Sequence, residues 1–262
     1  MTEYIVVCLV ALFVSGLTLF SGFGLGTLLM PAFALFFPVP TAIAATAVVH
    51  LANNLFMATL VGRKASWSVV ARFALPTAAA AIVGAALLNV FAALPPIWSY
   101  QLGGRRHEIG IMGLVIGALI CGFALLDLLP RFNKLTFNRQ YLPLGGMISG
   151  FFGGLSGLQG ALRSAFLIKV GLDTESFIGT SVVASIIVDT ARLLVYGLGF
   201  YAGTLTLIAP GMRGLILAAT LAAFVGSFVG TRLMKTVTLH TVQIIVGVML
   251  IVVGAGIAFG LF

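Results

Sequence analysis

The chain has 262 residues, 61% of them hydrophobic and only 8% charged, with 14 Lys and Arg against 6 Asp and Glu. Globular proteins carry roughly 25% charged residues, and no water-soluble core hides this much apolar surface. A cytosolic enzyme, a nucleic-acid binder and a disordered chain are therefore excluded. The composition describes an all-α polytopic membrane protein.

A crossing helix needs about 20 apolar residues, and the charge-free runs predict about eight. In chain order these are 4–21, 41–62, 69–93, 108–129, 140–170 (interrupted), 175–198, 205–231 and 238–261. The runs are continuously apolar and do not alternate, which argues against barrel strands. Met1-Thr2-Glu3 has no basic lead, so the first run reads as a retained helix and not as a cleaved signal. With eight crossings, Arg63, Lys64, Arg72, Arg131, Lys134, Arg139 and Arg213 share the N-terminal side, and Arg105, Arg106, Lys169, Arg232 and Lys235 share the other. That excess weakly favours cytoplasmic termini. Trp67, Trp98 and Tyr100 fall at the ends of spans, where amphipathic rings prefer the interface. The reading is a multi-pass protein of the cell (inner) membrane.

The chain also resembles itself at a shift of about 134 residues, which predicts two four-span halves, 1–134 and 135–262. Phe20-Ser21-Gly22 and Thr46-Ala47-Val48-Val49 in the first half match Leu155-Ser156-Gly157 and Thr180-Ser181-Val182-Val183 in the second. An even number of spans per half implies a parallel repeat, unless each half also contains a re-entrant element. Each half opens with an apolar stretch broken by glycine. As one helix, Tyr4 to Phe37 would be about 51 Å long, too long for a hydrocarbon core of about 30 Å. The breaks are placed at Gly22-Phe23-Gly24-Leu25-Gly26, with Pro31 following and Pro38-Val39-Pro40 ending the piece, and within Gly150 to Gly160. Unwound backbone at membrane depth needs partners from protein or from a water-lined cavity. Matched breaks in two halves point to a transporter's substrate site. Other small-xxx-small pairs, such as Gly226 and Gly230, read as helix packing.

At these residues the chain resembles the TauE/SafE family of sulfite and organosulfur-anion exporters. The resemblance rests on Ser21-Gly22-Phe23-Gly24-Leu25-Gly26, Pro31 and Ala44-Ala45-Thr46-Ala47, then on Leu155-Ser156-Gly157, Gly160, Gly171-Leu172 and Gly179-Thr180-Ser181. Gly226-Ser227-Phe228-Val229-Gly230-Thr231-Arg232-Leu233 is similar to the family's lead into its last helix. It implies two homologous halves, each opening with a broken helix, and an anion exporter. The chain departs from the pattern in having no Gly-Gly-Gly run in the first half, and Ala165-Phe166 where a Pro is usual.

Ionisable residues inside spans are functional candidates. Arg163, beside the second break, offers a planar fork of donors suited to a sulfonate, sulfite or carboxylate; the bland alternative is a snorkelling or structurally paired arginine. Asp189 and Arg192 share a helix face at i, i+3, as an ion pair or as a proton-coupling site with His50. Asn53 and Asn54 are either neutral ligands for an oxyanion or glue between helices. Gly22, Gly24, Gly26, Ser156, Gly157, Gln159 and Gly160 line the breaks; Thr180 and Ser181, like Thr46, offer hydroxyls near them. Cys8, Cys121 and the scattered His50, His107 and His240 form no metal or disulfide pattern, and no cofactor is expected. There is no Gly-x-x-x-x-Gly-Lys-Ser/Thr, so no nucleotide motor is expected either. The expected partners are the lipid bilayer, a small anion and protons as a coupling ion, with no nucleic acid. A passive anion channel and a non-transporting scaffold are the alternatives.

Overall fold

The computed structural model describes residues 1–21, 25–129, 136–201, 210–233 and 240–261. Ten α-helices occur among them: α1 Thr2–Ser21, α2 Leu25–Ala34, α3 Val39–Val61, α4 Trp67–Ala92, α5 Ile111–Leu128, α6 Leu142–Ser156, α7 Gly160–Leu167, α8 Thr174–Tyr201, α9 Pro210–Leu233 and α10 His240–Ala258. Four of these, α3, α4, α8 and α9, are both long and apolar enough to cross a membrane. The chain is an all-α membrane protein, as its composition requires.

Two local signals set helix boundaries. Pro40 and Pro143 stand in the first turns of α3 and α6, where a missing N–H costs nothing. Asp173 caps α8: its carboxylate accepts the Ser176 backbone N–H at 3.0 Å and the Ser176 hydroxyl at 2.8 Å. These bonds hold the exposed Asp173 carboxyl below its ordinary range. Pro31, which follows the first glycine cluster, lies inside α2.

Helix pairing is set by glycine. Along α6, a Cβ added to Gly146, Gly150 or Gly154 would lie 2.3, 2.2 and 2.1 Å from the carbonyl oxygens of Phe73, Thr77 and Ala81 in α4. The constant four-residue step makes the pair parallel, and only glycine permits this approach. A Cβ on Gly226 would lie 1.9 Å from the Leu12 oxygen, and one on Gly230 would lie 2.6 Å from the Gly16 oxygen. So α9 lies parallel to α1. The α5–α10 pair is antiparallel, with Gly113 against Ile257 and Gly117 against Gly254.

The interrupted span expected at 140–170 is a helical hairpin that returns to its starting end. The Phe137 N–H donates to the Ala165 oxygen at 3.2 Å, and the Phe137 and Phe166 rings stack with centroids 4.2 Å apart. The turn is made by Gly157, whose φ of +82° is left-handed and closes α6 in the manner of a glycine C-cap. Similarly, α2 lies back along α1: Leu28, Pro31, Ala32 and Leu35 share a cavity of about 240 Å³ with Val10 and Phe13. Gly22 and Gly24 of the first break lie outside the described residues.

These pairings sort the helix ends. The open end of α6–α7 lies with the α3–α4 connection, where the Ser66 N–H donates to Thr180 Oγ1 at 2.9 Å and Lys64 pairs with Glu175 at 3.3 Å. The start of α1 lies at the opposite end, level with Gly214 near the start of α9. At that end a β-hairpin, β1 Trp98–Leu102 and β2 Arg105–Ile109, joins α4 to α5. The spans expected at 69–93 and 108–129 flank this hairpin. Gly103 and Gly104, both at positive φ, make its two-residue turn, as a twisted hairpin requires. Tyr100 Oη donates to the Phe259 oxygen at 2.8 Å, and His107 Nδ1 donates to the Gly260 oxygen at 2.9 Å, fastening the hairpin to the chain's C-terminal end.

Candidate functional site

The centre of the molecule is built on α8. Ser181, Ser185, Asp189, Arg192 and Tyr196 recur every three or four residues, so they form one polar stripe on an otherwise apolar helix. Antiparallel α3 faces it with Thr46, His50 and Asn54. Asp189 lies fully buried between them. Its Oδ1 accepts Arg192 Nη2 at 2.7 Å, and its Oδ2 accepts His50 Nδ1 at 2.6 Å and Asn54 Nδ2 at 3.3 Å. The ion pair expected between Asp189 and Arg192 is present, and His50 and Asn54 complete it from across the bundle.

The second break wraps this stripe. At the end of α6 the Gly153 oxygen, which accepts the Gly157 N–H at 2.9 Å, also accepts Arg192 Nη1 at 3.4 Å, and Tyr196 Oη donates to the Gly154 oxygen. A cation at a helix C-terminus is also favoured by the helix dipole. A Cβ on Gly157 would sit 2.7 Å from Arg192 Nη1. From the start of α7, Arg163 reaches Ser185 with Nη1, one turn before Asp189. Gln159 is 2% exposed, and neither its Nε2 nor its Oε1 has a hydrogen-bond partner. Arg163 Nε, Arg192 Nε, Ser181 Oγ and Thr46 Oγ1 are also buried without partners. Buried polar groups are normally hydrogen-bonded, so the unpartnered Gln159 amide and Arg163 Nε, one turn apart, mark a place suited to a polar guest.

Gly26, the last glycine of the first cluster, meets the second break here. A Cβ on Gly26, in the first turn of α2, would lie 3.0 Å from the Gly157 oxygen and 3.9 Å from Thr46 Cγ2. Backbone from both glycine clusters therefore converges beside the stripe. Gly160 opens α7, and Ser156 closes α6 by donating to the Phe152 oxygen and accepting the Leu158 N–H.

Two sequence candidates stand apart. Asn53 Oδ1 accepts Ser227 Oγ of α9 at 2.9 Å, which is a link between helices. Thr180 Oγ1 is occupied at the start of α4, by the Ser66 N–H. Ser185, Tyr196 and Ser149, whose Oγ donates to the Gln159 oxygen at 3.3 Å, were missed. Ser185 and Tyr196 were legible as members of the α8 stripe; Ser149 gave no signal in the sequence.

Charge completes the description. Arg163 and Arg192 face one carboxylate, Asp189, and all three are nearly inaccessible to solvent. The cluster carries one positive charge in excess, before any proton on His50. Desolvated charge is strongly unfavourable unless paired. A helical membrane bundle with broken helices meeting at a buried cationic cluster defines a protein of the transporter class.

The sequence model of the family described as Sulfite exporter TauE/SafE matches residues 4–257, and the chain belongs to that family. Membership makes it a multi-pass membrane transporter and not an enzyme, with a small sulfur-containing anion as the family's class of cargo. No curated protein matches the chain at a significant level.

Proposed function

We propose that the protein is a secondary transporter that exports a small oxyanion, sulfite or an organosulfonate, across the cell (inner) membrane. The anion binds near the bilayer midplane, where Gly26 at the start of α2 meets the α6–α7 turn. The observation that carries this reading is the excess buried guanidinium beside the unpartnered amide of Gln159. Arg163 supplies the principal counter-charge, through a planar fork matched to sulfonyl oxygens. Gln159, Ser181 and the backbone around Gly26, Gly157 and Gly160 supply neutral hydrogen bonds. Arg192 is held in register by Asp189, and Asn54 steadies that carboxylate.

The same reading replaces eight crossings with six, α3, α4, α5, α8, α9 and α10, plus two hairpins inserted from opposite sides. Each half, 1–134 and 135–262, then has an odd number of crossings, so the repeats are inverted and not parallel. Positive charge supports this count. Arg63, Lys64, Arg72, Arg139, Lys169 and Arg232 gather at the α6–α7 open end, against Arg105, Arg106 and Arg213 at the other. The basic end is cytoplasmic by the positive-inside rule, and both termini are external, opposite to the eight-span expectation. An inside-negative potential then assists export by about 2.3 kcal/mol per charge per 100 mV.

Flux from proteoliposomes loaded with sulfite or methanesulfonate tests the reading. Saturable efflux that falls at least tenfold in Arg163→Ala is expected. No flux of either anion, or unchanged flux in the variant, refutes the site; unsaturable flux would make the protein a channel.

A further inference from the structure

The proposed site binds an anion, and resting on that reading, we infer that His50 sets the charge of the anion accepted, by taking up a proton when the cargo is a dianion.

Asp189 Oδ2 lies 2.6 Å from His50 Nδ1, so Nδ1 carries a proton in either charge state of the ring, as donor to an ionised carboxylate. Gain and loss of the second proton therefore occur at Nε2. The charged groups facing the ring are few. From α8 come Asp189 and, behind it, Arg192; from α7 comes Arg163; α3 contributes only the neutral Asn54, with Nδ2 3.4 Å from Nε2. Helix α2 has no ionisable residue, and in α9 Arg213 and Arg232 sit near its two ends.

The arithmetic follows from these groups. With His50 neutral, Arg163 and Arg192 against Asp189 leave one positive charge, which a monoanion such as a sulfonate or hydrogensulfite neutralises. With an imidazolium there are two, which match a dianion such as sulfite. In both cases the loaded site is electrically neutral, the state favoured away from water. A dianion thus binds with one proton taken from the facing solution, held at Nε2 and released on the other side, whereas a monoanion binds without one. Each loaded cycle moves one net negative charge whichever cargo is carried.

The two classes separate with anions whose own charge is constant near neutral pH. Sulfate serves as the fixed dianion and methanesulfonate as the fixed monoanion, with binding followed by calorimetry on the detergent-solubilised protein. Toward alkaline pH the sulfate affinity of the wild type falls up to tenfold per pH unit, the slope of one proton taken up. Methanesulfonate affinity stays level over the same range. His50→Gln abolishes the sulfate slope. A flat sulfate profile in the wild type, sulfate binding at no pH, a methanesulfonate profile as steep as that of sulfate, or a sulfate slope that survives in His50→Gln each overturns the inference. The wild-type slopes decide the matter even if the variant does not fold. Failure of the transport reading has a different signature: neither anion binds, or Arg163→Ala binds both as the wild type does.

Discussion

The two glycine-broken segments share a plan but not a chemistry. Around the second, Gly157 and Gln159 lie against Arg163, Asp189 and Arg192, and the turn is built on charge. Around the first, Gly26 in α2 and the facing α3 contribute backbone, Thr46, Asn54 and an imidazole. One side of the site thus supplies fixed charge, while the other supplies neutral or titratable partners. On the proposed transport reading, this asymmetry lets one half hold the anion while the other moves, without both halves having to desolvate charge.

The sharpest way to break the comparison is to remove charge from the second segment's side. Arg192→Ala leaves the Asp189 carboxylate buried with only His50 and Asn54, and loss of one partner of a buried pair costs about 3–5 kcal/mol. A marked fall in the melting temperature in detergent is expected, and an unchanged melt would show that the pair is not structural. His50→Gln, on the opposite side, is expected to lower it far less, because the glutamine amide can still donate to Asp189.

The next comparison concerns packing. Gly154→Ala in α6 and Gly226→Ala in α9 each force a methyl against a backbone carbonyl, 2.1 and 1.9 Å away. Overpacking typically costs about 1–3 kcal/mol, and similar losses are expected from both, read from the same melts. Gly157→Ala should separate site from scaffold. It places an L side chain at a φ of +82° and against Arg192, a strain of about 1–2 kcal/mol. Its effect on anion affinity is expected to exceed that of Gly26→Ala, whose methyl meets the Gly157 oxygen at the looser distance of 3.0 Å.

Smaller effects belong outside the cluster. Asn53→Ala removes the bond to Ser227, worth about 0.6 kcal/mol for a polar contact within a membrane, and is expected to leave anion affinity intact. Asp173→Asn weakens the α8 cap slightly. Because folding depresses the Asp173 carboxyl, its contribution is present above the unfolded pKa and is lost as pH falls through the folded one. The wild type and Asp173→Asn should therefore converge in melting temperature under acid conditions.

Much of this was legible in the residues. Long charge-free runs placed most of the helices, the Gly150–Gly160 cluster marked the break between α6 and α7, and the i, i+3 spacing of Asp189 and Arg192 announced their pairing. The hairpin turn at 157–159 was not legible, because an apolar stretch long enough to cross has the same composition as one that turns back. Nor was the split between adjacent amides: Asn53 and Asn54 point about 100° apart around α3, so one meets Ser227 and the other Asp189. The β-hairpin escaped notice because its ten strand residues look like any polar connection until Gly103 and Gly104 are seen to join paired strands.

The sequence by itself determined that this chain lives in a bilayer and that its few internal charges matter, since apolar composition and the cost of buried charge act locally and need no fold to be read. Only the tertiary structure decided which end each helix starts from, that His50 reaches across 139 residues of chain to Asp189, and that Gly26 meets Gly157. Those outcomes depend on glycine surfaces that let particular backbones touch, and close approach is a property of pairs of helices that neither helix carries alone.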